Sequence, residues 1–309
     1  MPRRSRGVES RRHPVEHARR AIVRDEVEVA IICSLPLEAN AVLALFDDHW
    51  DEGPPGLTDA YSYSFGTLGG HHVVLAHPSG IGKAKAANAA ATCASSFRNI
   101  RLALVVGICG GAPAAENKEE ILLGDVVISS GIIQYDFGRQ FPDHFRPKNT
   151  LKEPNARVGS LLAKLKTDFH RKALQGKVSE ALAQSGASYP GNGDVLFQSS
   201  YRCDNAHQVA RRRGNVKHEP AVHVGIVASG DSVIKSGKHR DNIIHETQAI
   251  AFEMEGAGVW DNFDCVIVVK GVCDYADSHK NKLWQGYAAD TAAACTRALL
   301  QFWRGRPVR

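Results

Sequence analysis

The chain has 309 residues, of which 43% are hydrophobic and 23% charged, and its formal net charge is +5. This composition excludes general disorder, a collagen-like repeat and a coiled coil, and the length fits one large α/β domain. The longest uncharged apolar runs, such as 102–115, are too short or too rich in glycine to span a bilayer. Met1 leads almost directly into arginines instead of a secretory apolar segment. We therefore expect a soluble, cytoplasmic protein with no membrane partner.

The seven cysteines are scattered along the chain without a Cys-x-x-Cys pair, and several lie inside apolar runs. A free thiol in such a run behaves as a small hydrophobic group. Neither a disulfide framework nor a zinc site has this spacing, so reduced cysteines and no metal site are predicted. The adjacent His71 and His72 also lack a metal-ligand spacing, and we expect them to face solvent or an interface.

The positive charge is concentrated in two segments. Residues 1–24 carry a net charge of +6 and residues 139–220 carry +8, whereas the remainder of the chain carries −9. The first segment lacks apolar periodicity, and a disordered basic tail is predicted there. Because the regular α/β parts are acidic, they are poorly suited to a phosphate-rich partner. No nucleic-acid partner is predicted.

Apolar runs alternate with helical patterns along the rest of the chain. Residues 27–35 predict a buried strand, and Pro36 opens a helix that runs to about Phe46. Two alternating runs around Gly69-Gly70 predict a hairpin over 61–78. The other predicted elements are a helix over 80–97, a strand over 102–111 that ends in a glycine turn, a strand over 124–138, one long helix around 155–186, a strand over 221–234, a helix over 239–250, a short strand leading into a helix over 252–263, a strand over 264–274 and a helix over 284–303.

Strands that alternate with helices predict an α/β fold with a mixed, mostly parallel sheet covered on both faces. We expect one domain over 25–309, with the polar and less regular segment 139–220 as a divergent insertion.

Ligands of open α/β sheets bind at the carboxyl ends of the strands. Glycines and carboxylates are frequent at those ends of the predicted sheet, and lysine and arginine are scarce. The ends lie at 34–38, 79–82, 107–111, 136–137, 229–234 and 271–274.

Six blocks of the sequence, in this order, resemble the purine nucleoside and uridine phosphorylase superfamily. They are VAIICSLPLEANAV, SGIGKAKAA, VVGICGGA, LLGDVVIS, VASGDSVI, and FEMEGAGV followed by VVKGVCDYAD. The resemblance covers 27–138 and 221–300, roughly two thirds of the chain. It implies a nucleoside phosphorylase-like fold, a nucleoside substrate and a homo-oligomer of two or more subunits. The Ala-rich helix at 84–97 suits a self-complementary subunit contact.

The phosphorylases of that superfamily carry one arginine in the first glycine-rich turn and another just before the Val-Gly of the third block. Here the first turn, 33–38, has no arginine, and Val105 occupies the second place. A buried phosphate dianion without guanidinium partners would be costly. Glu38 instead falls where the methylthioadenosine/S-adenosylhomocysteine nucleosidases carry the glutamate that activates water. The sequence therefore resembles the hydrolase branch.

The chemistry of N-glycosidic cleavage indicates which groups are needed. The bond breaks through an oxocarbenium-like ribosyl cation, and the purine leaves well only when N7 is protonated. Asp274 is the candidate general acid, and Glu38, from a different strand end, is the candidate base for water. Glu255 is expected to accept hydrogen bonds from the ribose hydroxyls. No metal and no organic cofactor are required.

The resemblance also implies residues that surround the substrate. Val233 and Ile234 follow the loop where the family binds the purine through main-chain groups. Phe137 stacks on the base or fills the core, and Glu253 faces the ribose or braces its neighbours. The remaining predicted substrate contacts are Met254, Cys109, Gly110 and Ser79.

Two other functions stay open from the sequence. A phosphorylase could draw its phosphate ligands from the basic insertion, for instance Arg139, Arg146 or Lys148. A non-catalytic nucleoside-sensing module is the other alternative, and the three carboxylates argue against it. The identity of the purine and of the 5′ substituent is also left open.

Overall fold

The computed structural model describes residues 23–50, 53–114, 119–143, 145–148, 150–191, 194–200, 208–209 and 219–304. The predicted basic tail lies outside the described residues, apart from Val23 and Arg24. The strands and helices, in chain order, are β1 (Val29–Ile32), α1 (Pro36–Leu43), β2 (Asp48–Trp50), β3 (Tyr63–Leu68), β4 (His71–Ala76), α2 (Lys83–Ser96), β5 (Leu102–Gly111), β6 (Val126–Gln134), β7 (Gly138–Gln140), β8 (Phe145–Pro147), β9 (Leu151–Lys152), α3 (Ala156–Leu165), α4 (Asp168–Ser185), β10 (Leu196–Phe197), β11 (Gln208–Val209), β12 (Val222–Ser229), α5 (Gly237–Thr247), β13 (Ala249–Glu253), α6 (Gly256–Val259), β14 (Val266–Asp274) and α7 (Gln285–Leu300).

Ten of these strands form one mixed sheet in the order β13-β12-β6-β14-β5-β1-β4-β3-β2, with β9 paired to β6. The neighbours β13-β12-β6, β14-β5 and β5-β1-β4 are parallel. Strand β13 also pairs antiparallel with β5, where Ala251 and Phe252 lie opposite Gly111 and Gly110. Strands β5, β14, β6, β12 and β13 therefore form a closed ring. The predicted α/β fold with a helix-flanked sheet is confirmed.

Helix α7 anchors this ring from outside, because it is almost wholly buried between the sheet and the helices α1 and α4. Its contact with β14 is close enough to require a glycine there. A Cβ atom placed on Gly271 would lie 1.9 Å from the carbonyl oxygen of Ala288. The end of β14, which carries Asp274, is thereby fixed against the main hydrophobic core.

The structure corrects two of the predicted elements. The single long helix expected around 155–186 is two helices, because Thr167 adopts extended backbone angles and interrupts it before α4. Leu162 and Leu165 of α3 pack in the same core cluster as Val178 of α4, so this part of the predicted insertion contributes to the core. Strand β5 does not end in a turn, since it continues through its glycines to Gly111.

The expectation for His71 is wrong, because this side chain is buried beneath the hairpin of β3 and β4. Its Nδ1 lies 2.8 Å from Oε1 of Glu28, and its Nε2 lies 3.0 Å from the Leu300 carbonyl oxygen at the end of α7. Burial opposes protonation of His71, but the bonds to Glu28 and to main-chain carbonyls outweigh it and raise the pKa of His71. The hydrogen bond from His71 lowers the pKa of Glu28. The pair therefore ties the hairpin to the C-terminal helix.

No helix among the described residues is long and apolar enough to cross a membrane. Cys33, Cys93, Cys109, Cys265, Cys273 and Cys295 are all free and buried, as the scattered spacing predicted; Cys203 lies outside the described residues. Association through α2 stays a prediction.

The His71–Glu28 pair predicts a pH-dependent contribution to folding stability. A raised histidine pKa stabilises the fold fully below about pH 6.5 and loses this effect as pH rises through the folded-state value. A lowered glutamate pKa contributes above about pH 4.5 and is lost as pH falls. We expect His71→Leu to lower the free energy of unfolding by about 1–3 kcal/mol at pH 6 and by less at pH 9, measured by urea denaturation. His72→Leu, at the half-buried neighbour, is the control; equal losses in both variants would contradict the assignment.

Candidate active site

A cavity of about 400 Å³ opens where the predicted carboxylates meet. Its walls come from the start of α1, the end of β5, the loop after β12, the turn between β13 and α6, and the end of β14 with its following loop. The lining residues that bear on function are Glu38, Cys109, Gly110, Tyr135, Val233, Ile234, Lys235, Glu253, Met254, Glu255, Asp274, Lys280 and Lys282. A larger groove of about 780 Å³ lies against β12 and α4, but none of the four carboxylates named above lines it. Chemistry, not size, therefore identifies the site.

Glu38 is held by the local backbone at the first turn of α1. Its Oε2 accepts hydrogen bonds from the amides of Ser34 and Leu35, at 3.1 and 2.9 Å, and its Oε1 accepts one from the Ile108 amide at 2.8 Å. The Ile108 amide is open to this contact because β1 ends at Ile32, opposite Val105. Burial raises the pKa of Glu38, and the nearby Lys270 partly opposes that rise. The carboxyl is thus fixed in position and poised to take a proton.

Two glycines of β5 make room for the carboxylates. A Cβ atom on Gly107 would lie 2.0 Å from Oε1 of Glu38, and one on Gly110 would lie 2.9 Å from Oδ1 of Asp274. Any side chain at these positions would displace the acidic groups. Gly107 and Gly110 are therefore required by the site itself and not by a turn.

Lys270 lies at the centre of the acidic cluster, although it is only 1% exposed. Its Nζ is 3.0 Å from Oε2 of Glu255 and 3.9 Å from Oε2 of Glu253. Burial alone would lower the pKa of Lys270, but the charges of Glu255, Glu38 and Glu253 outweigh it and raise this pKa. One buried cation therefore offsets the negative charge of three buried carboxyl groups.

Glu253 and Glu255 differ in what they do within this cluster. Burial raises the pKa of Glu253, whose carboxylate accepts hydrogen bonds from the amides of Glu255 and Gly256. Burial also acts to raise the pKa of Glu255, but Lys270 outweighs it and lowers this pKa. Glu253 thus braces the turn into α6, and Glu255 presents an ionised carboxylate to the cavity.

Asp274 ends β14 on the other side of the cavity. Its Oδ1 accepts a hydrogen bond from the Ala276 amide at 2.8 Å and lies 3.0 Å from Nζ of Lys280. Its Oδ2 has a weaker donor, the Cys273 thiol at 3.4 Å. Burial raises the pKa of both Cys109 and Cys273. A thiol whose pKa is raised by burial is a poor nucleophile.

A network of charged groups fixes the loop after β12. Asp231 accepts a hydrogen bond from the Lys83 amide at 2.8 Å, and its own amide donates to Oδ2 of Asp136 at 2.8 Å. The Lys83 ammonium bonds to Asp136 in turn. The Tyr135 hydroxyl donates to the Ser232 carbonyl at 2.8 Å. The loop that carries Val233 and Ile234 is thereby held against the start of α2.

Most of the predicted site residues meet in this cavity, and two do not. Phe137 is 57% exposed and Ser79 is exposed, and neither lines the cavity. The basic residues Arg139, Arg146 and Lys148 are exposed and also lie outside the lining, so the structure gives no support to a phosphate site built from them. Among the described residues, no group of three or more metal-ligating side chains occurs.

Sequence reasoning missed the lysines of the site. Lys270 could have been found, because it is the one charged residue inside the apolar run from Val266 to Cys273, and a buried lysine needs an acidic partner. Lys235, Lys280 and Lys282 at the cavity rim carry no such signal, since surface loops commonly contain lysine.

The burial of Lys270 among carboxyl groups predicts that its substitution strongly lowers the free energy of unfolding. Lys270→Met removes the cation from three buried carboxyl groups, and we expect it to lower the free energy of unfolding by about 3–5 kcal/mol at pH 8. The loss should be smaller at pH 5, where protonation relieves the repulsion. Lys270→Arg keeps the charge and should lose less. Urea denaturation of the three proteins at both pH values tests this, and a Met variant as stable as the parent would contradict it.

The sequence pattern of the Phosphorylase superfamily matches residues 28–301. A nucleotide-binding leucine-rich repeat (NLR)-like protein of Hyaloscypha variabilis is 36% identical over 91% of this chain, which spans only 30% of that protein's length. A 5′-methylthioadenosine/S-adenosylhomocysteine nucleosidase of Mycobacterium bovis is 24% identical over 89% of this chain and 96% of its own length. The ATP nucleosidase Cap17 of Escherichia coli is 24% identical over 88% of this chain and 51% of its own.

The fold is also that of a solved nucleosidase. The 5′-methylthioadenosine/S-adenosylhomocysteine nucleosidase of Neisseria meningitidis, in complex with methylthio-immucillin-A, superposes with a TM-score of 0.58 at 19% identity, over 89% of this chain and 98% of that one. This likeness is one of fold, and the family match over residues 28–301 shows that the chain belongs to the phosphorylase superfamily.

Proposed function

We propose that this chain hydrolyses the N-glycosidic bond of purine ribonucleosides and releases free base and ribose. The observation that carries the proposal is the meeting of Glu38, Glu255 and Asp274 around one cavity, with Lys270 buried behind them. The relatives named as nucleosidases support the same reaction class.

The reaction needs one proton removed and one supplied on opposite sides of the sugar. A water molecule attacks C1′ of the ribose, and Glu38 takes its proton. The C1′–N9 bond breaks, its electron pair goes to the purine, and Asp274 supplies a proton to N7. Glu255 accepts hydrogen bonds from the ribose hydroxyls. The carboxylates also stabilise the cationic transition state, because negative charge lies near the developing positive charge.

Hydrolysis is favoured over phosphorolysis by the side chains at the cavity. Its lining, within the described part of the chain, includes four carboxylates and no arginine. A phosphate dianion that attacks C1′ from among these carboxylates would be repelled, whereas a water molecule there is activated by them.

The lysines at the cavity rim favour a charged group at the 5′ end of the substrate. Lys235, Lys280 and Lys282 all line the cavity, and Lys235 and Lys282 form no ion pair with any described residue. Lysines placed in this way suit an anionic group, as on a nucleotide, better than an apolar thioether. The relative named as an ATP nucleosidase supports a phosphorylated substrate. We propose a purine nucleoside 5′-phosphate as the preferred substrate.

A nucleoside-sensing role without turnover is the second candidate, because one relative is an NLR-like protein of which this chain spans 30%. A sensor needs affinity but not a base for water, so the buried and rigidly bonded Glu38 favours turnover. Ligand binding without product release would support the sensor instead.

The carboxylate roles predict distinct kinetic effects. Asp274→Asn removes the acid and Glu38→Gln removes the base, and each should lower kcat on the order of 10²–10⁴-fold. Glu255→Gln should raise KM as well, since ribose contacts exist before and during bond breaking. The assay follows free purine and reducing sugar without phosphate, and Asp264→Asn on the exposed surface is the control. Ribose 1-phosphate as product, or full activity of Glu38→Gln, would contradict the proposal.

The rim lysines predict a preference at the 5′ position. We expect adenosine 5′-monophosphate and triphosphate to have lower KM values than adenosine and methylthioadenosine by about tenfold or more, with the advantage falling as salt rises. A panel of these four substrates at two ionic strengths measures it. A preference for the thioether would show that the rim lysines do not face the 5′ group.

A further inference from the structure

Asp274, the proposed general acid, is held by the peptide group that joins Tyr275 to Ala276. The N–H of this group, on Ala276, donates to Oδ1 of Asp274 at 2.8 Å. Its carbonyl oxygen, on Tyr275, accepts a hydrogen bond from Nη1 of Arg240, also at 2.8 Å. A peptide group is planar and rigid, so a bond that fixes its carbonyl end also fixes the direction of its N–H. Arg240 and Asp274 are thereby joined through a single rigid unit.

The backbone of Ala276 depends on its surroundings. Its φ angle is 51°, in the left-handed region that an alanine rarely adopts. A residue in this region keeps its conformation only when neighbouring groups impose it. The Ala276 side chain is buried, and a Cβ atom on Gly110 would lie 3.0 Å from its own Cβ. The preceding side chain is anchored as well, because the Tyr275 hydroxyl donates to Oδ1 of Asp194 at 2.6 Å.

The rest of the Arg240 guanidinium is held by its own helix, α5. The Arg240 side chain is 3% exposed, and its Nε and Nη2 each lie 2.8 Å from Oδ1 of the half-exposed Asp241. This paired contact fixes the plane of the guanidinium while Nη1 bonds to Tyr275. Helix α5 follows the loop that carries Val233 and Ile234. One side chain therefore ties the helix after the predicted purine-binding loop to the turn that carries the acid.

We propose that Arg240 is a positioning residue for Asp274, a role that rests on the proposed function of Asp274 as acid. Its bond to the Tyr275 carbonyl keeps the Ala276 amide on Oδ1, and so keeps the carboxyl group directed at the purine. Lys280 also lies 3.0 Å from Oδ1, but a long flexible side chain fixes an orientation less firmly than a peptide group does. Arg240 does not line the cavity, so it acts through Asp274 and not by contact with the substrate.

This role predicts that the loss of Arg240 depends on the leaving group. Adenosine needs a proton on the departing purine, whereas p-nitrophenyl β-D-ribofuranoside releases a stable phenolate that leaves without one. Both substrates need the water that Glu38 activates. Asp274→Asn should therefore lower kcat for adenosine alone, and Glu38→Gln should lower kcat for both. Arg240→Met, which keeps an unbranched apolar chain in place of the arginine stem, should reproduce the pattern of Asp274→Asn.

We expect Arg240→Met to lower kcat for adenosine by about 10- to 100-fold, and kcat for the p-nitrophenyl riboside by less than about twofold. Arg240→Lys keeps a donor for the Tyr275 carbonyl and should lose less. Thr247→Val is the matched control, because Thr247 is also a buried polar residue of α5 and its hydroxyl donates within the helix, to the Ile243 carbonyl at 2.6 Å. It should lower the free energy of unfolding and leave the ratio of the two kcat values unchanged.

A second measurement requires no turnover. In 9-deazaadenosine the purine carries an N–H at position 7, as it does after proton transfer, whereas 7-deazaadenosine carries a C–H there. Only the first can donate a hydrogen bond to Asp274 from this position. Calorimetry should show that Arg240→Met weakens the binding of 9-deazaadenosine by about tenfold and that of 7-deazaadenosine by less than about twofold.

The positioning role is overturned if Arg240→Met lowers both kcat values by the same factor, leaves kcat for adenosine unchanged, or weakens both analogues equally. If the Met variant does not fold, Arg240→Lys decides by the same ratios. Failure of the proposed function looks different, since the folded parent then releases no adenine from adenosine or from adenosine 5′-monophosphate.

Discussion

The ammonium group of Lys270 is the interaction on which the rest of the site depends. Three carboxyl groups, those of Glu38, Glu253 and Glu255, share one buried environment, and without a cation their mutual repulsion and desolvation would be prohibitive. With the lysine present, Glu255 stays ionised and Glu253 is free to accept main-chain hydrogen bonds. A single positive charge thereby allows one acidic group to brace the backbone and its neighbour to face the cavity as a carboxylate.

The second constraint is space. Glu38 and Asp274 come from elements that are distant in sequence, and both lie directly against β5. Gly107 and Gly110 supply the room, and Gly271 lets α7 press against β14 behind Asp274. The missing side chains of these glycines thus leave the space beside the central strands that the carboxylates of Glu38 and Asp274 occupy.

The main features of the fold could be predicted from the sequence, because apolar periodicity and residue order determine them; the hairpin at Gly69-Gly70 and the central strands are of this kind. The meeting of Glu38, Glu255 and Asp274 was predicted from the strand ends together with the resemblance to the superfamily. The break at Thr167 could not be predicted, since it depends on how α3 and α4 pack on the core. The exposure of Phe137 and the burial of His71 likewise depend on tertiary contacts. The rim lysines were missed because they lie on two loops that are distant in sequence, and only the folded structure shows that both loops border the same cavity.

The antiparallel pairing of β13 with β5 has a consequence for how the cavity exchanges its contents. Glu253 is carried by one of these strands, and the groups around Glu38 by the other, so the closed ring prevents the acidic walls from separating as two hinged lobes would. Entry and exit then take place at the mouth of the cavity, which the loops after β12 and β14 border, and not by separation of the strands that form its floor. The time that a bound molecule spends in the cavity thus depends on the short segments at its mouth and not on opening of the closed ring of strands beneath them.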